Sequence, residues 1–370
     1  SVTSESVTSE KGASGWRDWR RFVVARKARE SNEISSFYLE PEDGGPLPSF
    51  LPGQFLTLKL DIPSQPRPVI RTYSLSDYQA DAAEGQSYYR LSIKRESAPK
   101  DLNVPPGIGS TFMHDRVYQG TTLLIKPPNG KFVLEPKKTT PVVLISNGVG
   151  ITPMISMAKA IAATNPQRHV WFLHGARHGA FHAFRDEINK LAQGWSNLHV
   201  YYRYSRPRHE DEGHYHSQGY VDDAMLKTLI FPDIEQICGT AAEAEYFLCG
   251  SPAFMDSLRA GLKELTVPDT QVFFESFTKP KAAPKASAQA NAGAKEGEAD
   301  RANATKEGAG KTITFAKSGK TATWHPSDGS LLDFAEAQGI EAPYSCRAGI
   351  CLTCMCQVEA GEVEYEEDPT

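Results

Sequence analysis

No apolar run in this 370-residue sequence is clean enough to span a bilayer. The most apolar stretch, Pro141 to Ala163, is broken by Ser146, Asn147, Gly148, Gly150 and Lys159. An excess of positive charge is missing too. Lys and Arg number 40 against 45 Asp and Glu, a formal net charge of −5, and no basic block is present, which excludes a surface built to grip nucleic-acid phosphates. Cysteine is scarce, six in all, too few for a disulfide scaffold. These shortages imply a soluble, cytoplasmic chain with neither a nucleic-acid nor a membrane partner. The length implies two or three domains, each with its own core.

The cysteines that are present cluster. Cys346, Cys351, Cys354 and Cys356 fall within eleven residues near the end of the chain, and that density points to a metal. At the other end, SVTSE is written twice from Ser1, a polar repeat expected to be disordered and to mark a processed or truncated start.

Between these ends the pattern changes twice. From Trp16 to Lys138, short strand-like runs (PGQFLTLKL, RTYSLSD, YYRLSIKRE, TTLLIKPPNGKFVL) alternate with turn residues, as in an antiparallel barrel. From Thr139 to Lys279, apolar runs precede helical stretches: PVVLIS then GVGITPMISMAKAIAA, HVWFLHG then AFHAFRDEINKLAQ, EYFLCG then SPAFMDSLRAGLKEL. That order predicts an α/β parallel sheet. Pro280 to Gly310 holds 31 residues, 11 of them Ala, and no Val, Ile, Leu, Met or aromatic. Such a segment builds no core and is expected to act as a flexible linker with a reach of about 30 Å. Lys311 to Thr370 then predicts a hairpin, a short amphipathic helix and the cysteine loop.

Five motifs carry chemistry. Arg71-Thr72-Tyr73-Ser74 ends a predicted strand and offers a cation for phosphates, a flat ring and a hydroxyl donor, the set a flavin needs; alone it is also an ordinary strand end. Gly107-Ile108-Gly109-Ser110 is a glycine turn opening a helix, where free amides suit a pyrophosphate; a plain cap is the alternative. Gly148-Val149-Gly150-Ile151-Thr152-Pro153 follows the strand at Val142, a context for a dinucleotide, although it is GxGxxP rather than GxGxxG. Cys249-Gly250 ends another strand and is expected beside the Gly148 loop, since ligands collect beyond the carboxyl ends of parallel strands.

The most specific motif is Cys346-x4-Cys351-x2-Cys354, the spacing of a plant-type 2Fe-2S loop; structural zinc usually takes two C-x2-C pairs. No fourth cysteine follows at the required distance. Cys356 is read as a packing residue, and the chain is expected to stop before its last ligand. Cys238 has no motif around it and is read as structural. His174, His178 and His182 recur every four residues, but Gly175 and Gly179 argue against one helix and hence against a metal stripe. His209, His214 and His216, interleaved with Glu210, Asp211 and Glu212, are expected on a solvated face.

Together these residues resemble the ferredoxin-NADP reductase superfamily over Trp16 to Lys279, joined to a plant-type ferredoxin domain as in phthalate dioxygenase reductases. The wording (PGQFLTL, IRTYSLSD, YRLSIKRE, SNGVGITPM, HGARHGAFHAF, YFLCGSPAFM, FFESF) is similar to the reductase half of flavohaemoglobins and to reductases fused behind a MOSC domain. The resemblance implies a flavin barrel, a nucleotide domain and a β-grasp ferredoxin domain. FAD follows from the flavohaemoglobin branch and FMN from the phthalate branch.

Carried over by residue, Phe55, Arg71, Thr72, Tyr73 and Ser74 contact the flavin, with Gly107, Gly109 and Ser110 at its pyrophosphate. Gly148, Gly150, Thr152 and Pro153 hold NAD(P)H. Ser74, Cys249 and Glu275 are the implied catalytic residues, with Gly250 beside them and Phe277 closing over the flavin. Ser205 and Arg206 stand where NADPH-using members hold the extra phosphate, though a solvated turn reads the same way, and Arg208 is close enough to help. Cys346, Cys351 and Cys354 hold the 2Fe-2S cluster. Thr278-Lys279-Pro280 departs from the glycine-proline usual after that aromatic, and Leu352 stands where a glycine is frequent.

The implied function is transfer of hydride to the flavin and of single electrons through the cluster to a partner oxygenase or another redox protein. The alternatives are the reductase portion of a larger molybdenum-related or haem fusion, and an iron-sulfur sensor without turnover.

Overall fold

Alternating apolar residues in the first third of the chain pair into one antiparallel sheet. The computed structural model describes residues 16–79, 86–96, 107–277, 310–340, 356 and 358–361. Its first strands are β1 (Arg20–Arg29), β2 (Ile34–Pro41), β3 (Phe55–Leu60), β4 (Val69–Ser74) and β5 (Tyr89–Lys94); helix α1 (Ile108–Arg116) and strand β6 (Thr122–Asn129) follow. The order across the sheet is β4-β3-β6-β1-β2-β5. An antiparallel bridge between Leu75 and Leu91 joins the chain beyond the edge strand β4 to the other edge strand, β5, and Ser76 N donates to Arg90 O at 2.9 Å. The core inside contains Phe22, Phe37, Leu58, Leu91 and Met113, all fully buried. The strand expected to run through Leu134 stops at Asn129. From Gly130 the chain leaves the sheet, and Leu134 is buried in the next core instead.

Continuous apolar runs then form a parallel sheet, as strands buried on both faces require. Its elements are β7 (Val142–Asn147), α2 (Ile151–Thr164), β8 (Val170–Ala176), α3 (Arg185–Gln193), β9 (Leu198–Tyr204) and β10 (Ser217–Gln218). After them come α4 (Asp223–Met225), α5 (Phe231–Cys238), β11 (Glu245–Gly250), α6 (Pro252–Glu264) and β12 (Val272–Ser276). The order is β10-β9-β8-β7-β11-β12. Separate apolar clusters cover its two faces, one around Leu144, Phe172 and Met154, the other around Ile145, Trp171 and Leu258. Strand order reverses between β7 and β11, so a crevice opens at their carboxyl ends.

The last described elements are the hairpin β13 (Lys311–Phe315) and β14 (Lys320–Trp324) and helix α7 (Leu331–Ala337). Ser330 caps α7, accepting from Asp333 N at 3.2 Å, and Phe334 lies 6.1 Å from Phe315. The chain divides into two compact units, Ser1–Thr278 and Lys279–Thr370. Cys346, Cys351, Cys354 and nearly all of the expected linker lie outside the described residues. No helix among the described residues is long and apolar enough to cross a membrane.

Candidate active site

β4 presents the first group of residues. Its register with β3 sets Ser74 opposite Phe55, Tyr73 opposite Leu56 and Thr72 opposite Thr57. Phe55 is buried, its ring against Gly130, so it supports the strand from beneath. Arg71 donates to Ile70 O at 2.8 Å and lies across the start of α1. A Cβ on Gly109 would stand 2.8 Å from Arg71 Cγ, so glycine is what lets the arginine approach the helix. The amides at the start of α1 have no intrahelical acceptor, and Arg71 lies against Gly109 in that turn. Ser110 is already engaged, accepting from Glu96 N at 3.0 Å and donating to Gly107 O at 3.2 Å. Burial, partly offset by Arg71, pushes the Tyr73 phenol up to about 12 and keeps it neutral.

Two hydroxyls in this region, Ser74 Oγ and Thr111 Oγ1, are buried with no hydrogen-bond partner among the described residues. Orphaned buried hydroxyls are costly, on the order of 1–3 kcal/mol each. They fit a polar ligand lying against β4 and α1. With a cation, a neutral aromatic ring and free amides beside them, the donor set suits a flavin nucleotide.

The second group converges at the crevice between β7 and β11. Gly148 adopts a φ of +52°, and a Cβ on Gly150 would overlap the carbonyl oxygen of Cys249, so the turn rests directly on the end of β11. Asn147 Oδ1 accepts from Ser251 N at 3.0 Å and ties the two strand ends together. Asn147 was missed in the sequence; its place between strand and glycine in SNGVG was the available signal. Thr152 donates to Val149 O at 3.1 Å and is buried, as is Pro153; both shape the turn from within. β5 runs beside this turn, which brings the first sheet to the crevice.

On the other side of Cys249, Glu275 of β12 is its register partner. Burial, reinforced by the Glu275 charge, pushes the Cys249 thiol well up, so it is a protonated, unreactive thiol. Burial likewise raises the Glu275 carboxyl, to about 8. Phe277, just past the strand, is exposed.

Ser205 and Arg206 follow β9. Their amides donate to Ala176 O at 3.1 Å and Arg177 O at 2.8 Å, which puts Arg177, also missed in the sequence, next to Arg206 at the same sheet edge. Arg177, Arg206 and Arg208 are all exposed there. Asp211 accepts from Gly179 N at 3.1 Å and Arg208 N at 2.8 Å and fastens the two loops together.

Several expectations need correction. The acidic loop is not wholly solvated: Asp211 is buried, whereas His216 is exposed as expected, its Nδ1 accepting from Tyr202 N at 2.8 Å. Backbone donors at the strand ends recruit both. His174, His178 and His182 share no helix, as expected, and all three are buried. His174 Nδ1 lies 2.8 Å from Ser146 Oγ and His182 Nδ1 lies 2.6 Å from Tyr204 Oη. Burial lowers His174 to about 3 and His182 well below its ordinary value. No group of three His, Cys, Asp or Glu among the described residues is arranged to hold a metal. Cys356 is exposed, as is nearby Val358, and is not the packing residue expected. Cys238 is half-buried on α5.

Comparison with known proteins finds related families and folds. Residues 144–260 match the oxidoreductase NAD-binding domain family, and residues 314–370 match the 2Fe-2S iron-sulfur cluster binding domain family. A flavohemoprotein of Burkholderia sp. (strain TH2) is 44% identical over 271 residues, 73% of this chain and 62% of that one. A flavohemoprotein of Bacillus subtilis (strain 168) is 38% identical over 272 residues, with the same coverage. The chain thus spans about 62% of the length of these relatives.

Among solved structures, the flavohem-like FAD/NAD-binding domain of nitric oxide dioxygenase from Vibrio cholerae O1 biovar El Tor is 30% identical, with a TM-score of 0.60. The match covers 70% of this chain and 99% of that one. Phthalate dioxygenase reductase is similar in fold at 24% identity and a TM-score of 0.57, over 91% of this chain and 85% of that one.

Proposed function

The chain belongs to the FAD/NAD-binding ferredoxin reductase-like family, joined to a C-terminal 2Fe-2S domain. From that premise we propose that it is an NAD(P)H-dependent flavin and iron-sulfur reductase serving a partner redox protein of oxygenase, haem or molybdenum type. The domain reading that goes with this is a flavin-binding barrel over residues 16–138, a nucleotide-binding domain over 139–279, a linker over 280–310 and a β-grasp ferredoxin-type domain over 311–370. The Leu75–Leu91 bridge supports a closed barrel, and the hairpin followed by a capped helix supports the grasp. Absence of a membrane-spanning helix among the described residues is compatible with a cytoplasmic location.

A flavin bound here supplies the conversion of a paired-electron hydride into the single electrons that a 2Fe-2S cluster accepts. The protein's residues bind and orient. Arg71 and the first turn of α1 neutralise a pyrophosphate, Tyr73 offers an uncharged ring face, and Ser74 offers a hydrogen bond at the ring edge. Gly148 and Gly150 admit a nicotinamide dinucleotide to the backbone, with Asn147 holding the crevice open. Cys249 forms a neutral wall, and Glu275 stays protonated below about pH 8, so no negative charge opposes the cofactor. Arg206, with Arg177 and Arg208, suits a 2′-phosphate. Cys346, Cys351 and Cys354 are the cluster thiolates, with Phe277 flanking the flavin.

The observation that carries the reading is the buried hydroxyl of Ser74 with no partner among the described residues, at the end of the strand that carries Arg71 and Tyr73. The test is purified chain reconstituted with FAD, iron and sulfide, mixed with NADPH or NADH and a one-electron dye. Bleaching of flavin absorbance followed by dye reduction is expected; a chain that binds neither flavin nor iron ends the reading.

A further inference from the structure

We propose that the ionic cluster Asp77, Arg90, Lys159 and Glu187 fixes the gap between the flavin and nicotinamide sites, with Lys159 and Asp77 as positioning residues for the hydride step. The inference rests on the function proposed above; the step itself, in which dihydronicotinamide loses a hydride and the flavin gains it, is unchanged by it.

The cluster is anchored two residues beyond Ser74. Ser76 is locked to β5: its amide donates to Arg90 O at 2.9 Å, its hydroxyl donates to the same oxygen at 3.1 Å, and Arg90 Nε donates back to Ser76 O at 3.1 Å. Asp77 follows and reaches outward to the other sheet's layer. Its Oδ1 accepts from Lys159 Nζ at 2.7 Å, its Oδ2 from Tyr88 Oη at 2.6 Å, and its backbone oxygen from Ser156 Oγ at 3.2 Å. Ser156 and Lys159 are three apart on α2 and so share a face. That helix starts at Ile151, immediately after the Gly148–Gly150 turn. At 1.5 Å per residue, Ser156 and Lys159 lie only about 9 and 14 Å along α2 from that turn.

Arg90 completes the cluster. Its guanidinium lies 4.7 Å from the Phe184 ring, donates to Glu187 at 3.1 and 3.2 Å, and stands 3.9 Å from Asp77. Lys159 also pairs with Glu187. Arg90 and Asp77 are 3% and 7% exposed. Burial works to raise the Asp77 carboxyl, but Arg90 and Lys159 outweigh it and keep the group ionised. A buried ion cluster is a poor source of stability, because desolvation offsets most of its attraction and apolar residues would pack as well. It is, however, directional. Contacts converging on Ser76 and Asp77 hold the chain after Ser74 against the helix that carries the dinucleotide turn, and an apolar contact would permit sliding.

The test compares FAD-loaded wild type, Lys159→Met and Lys159→Arg. Stopped-flow flavin reduction over a range of NAD(P)H concentrations gives a limiting rate and a half-saturating concentration. Hydrogen exchange of the Leu75–Tyr78 and Gly148–Met154 peptides, measured without nicotinamide, reports the gap directly. Lys159→Met is expected to lower the limiting rate by about tenfold to a hundredfold, as small misplacement of reacting groups does, while half-saturation moves less than about twofold. Both peptides should exchange faster, and Lys159→Arg should restore rate and protection.

Wild-type rates and exchange in both variants overturn the proposal. So does a loss that appears only in half-saturation, which would make Lys159 a binding residue. If Lys159→Met fails to fold, Glu187→Gln at the solvent edge of the cluster takes its place with the same expectations. A wild-type chain that neither nucleotide reduces sinks the functional reading instead, whereas normal reduction in every chain sinks the latch alone.

Discussion

Gly150 rests against the main chain of Cys249 with no space for a Cβ between them. The turn that opens α2 and the end of β11 therefore form one surface, and its shape depends on a missing methyl group. Gly150→Ala must push the turn away from the crevice. The expected outcome is a rise in half-saturating NAD(P)H on the order of tenfold, with a stability loss of about 1–3 kcal/mol from overpacking and no change in bound flavin. Steady-state kinetics beside the flavin absorbance spectrum decide it; unchanged half-saturation would remove the turn from the nucleotide site.

Ser74→Ala separates ligand binding from folding. The hydroxyl makes no hydrogen bond within the described residues, so its removal from the flavin-free protein should leave the unfolding midpoint unchanged or raise it. Flavin reduction should nevertheless slow by roughly tenfold to a hundredfold if the hydroxyl orients the ring. A fall in thermal stability of the flavin-free variant would show the hydroxyl to be structural.

Glu275 predicts a stability profile with an unusual sign. Its folded-state value of about 8 lies above its ordinary 4.5, so between these limits the folded flavin-free protein holds a proton that the unfolded chain releases. Stability from this group is complete below about pH 4.5 and is lost as pH rises towards 8. Glu275→Gln should flatten the decline in urea-unfolding free energy across that window; an identical slope in the variant would refute the assignment.

Arg206→Gln tests the phosphate. If this exposed guanidinium meets a 2′-phosphate, the Michaelis constant for NADPH should rise by about tenfold and that for NADH should stay put. Equal shifts for both nucleotides would return Arg206 to the solvated-turn reading.

Much of this arrangement is local in sequence, and that part was legible. VVLIS, VWFLHG and EYFLCG read as parallel strands because strands covered on both faces show no alternation. The turn at Gly148 and the strand end at Cys249 could be brought together on paper, because strand order alone dictates where a crevice opens. The Arg71–Gly109 contact joins two motifs that were each ambiguous when isolated.

What stayed hidden involves pairs separated by fold. Asp77 and Lys159 are 82 residues apart, and Arg90 and Glu187 are 97 apart. Nothing in a charged residue's neighbours announces a buried partner on another sheet. Asp211 misled for a related reason: a polar residue beyond a strand end looks solvated until loops close over it.

One consequence follows from the pair His174 and His182. His174 stands in register with Ser146, two residues before the Gly148–Gly150 turn, and both imidazoles resist protonation throughout the physiological range. The layer behind the end of β7 is therefore polar yet electrically constant. Acidification of the surroundings adds no charge behind that strand end, so the backbone leading into the turn keeps the same electrostatic support across the physiological range.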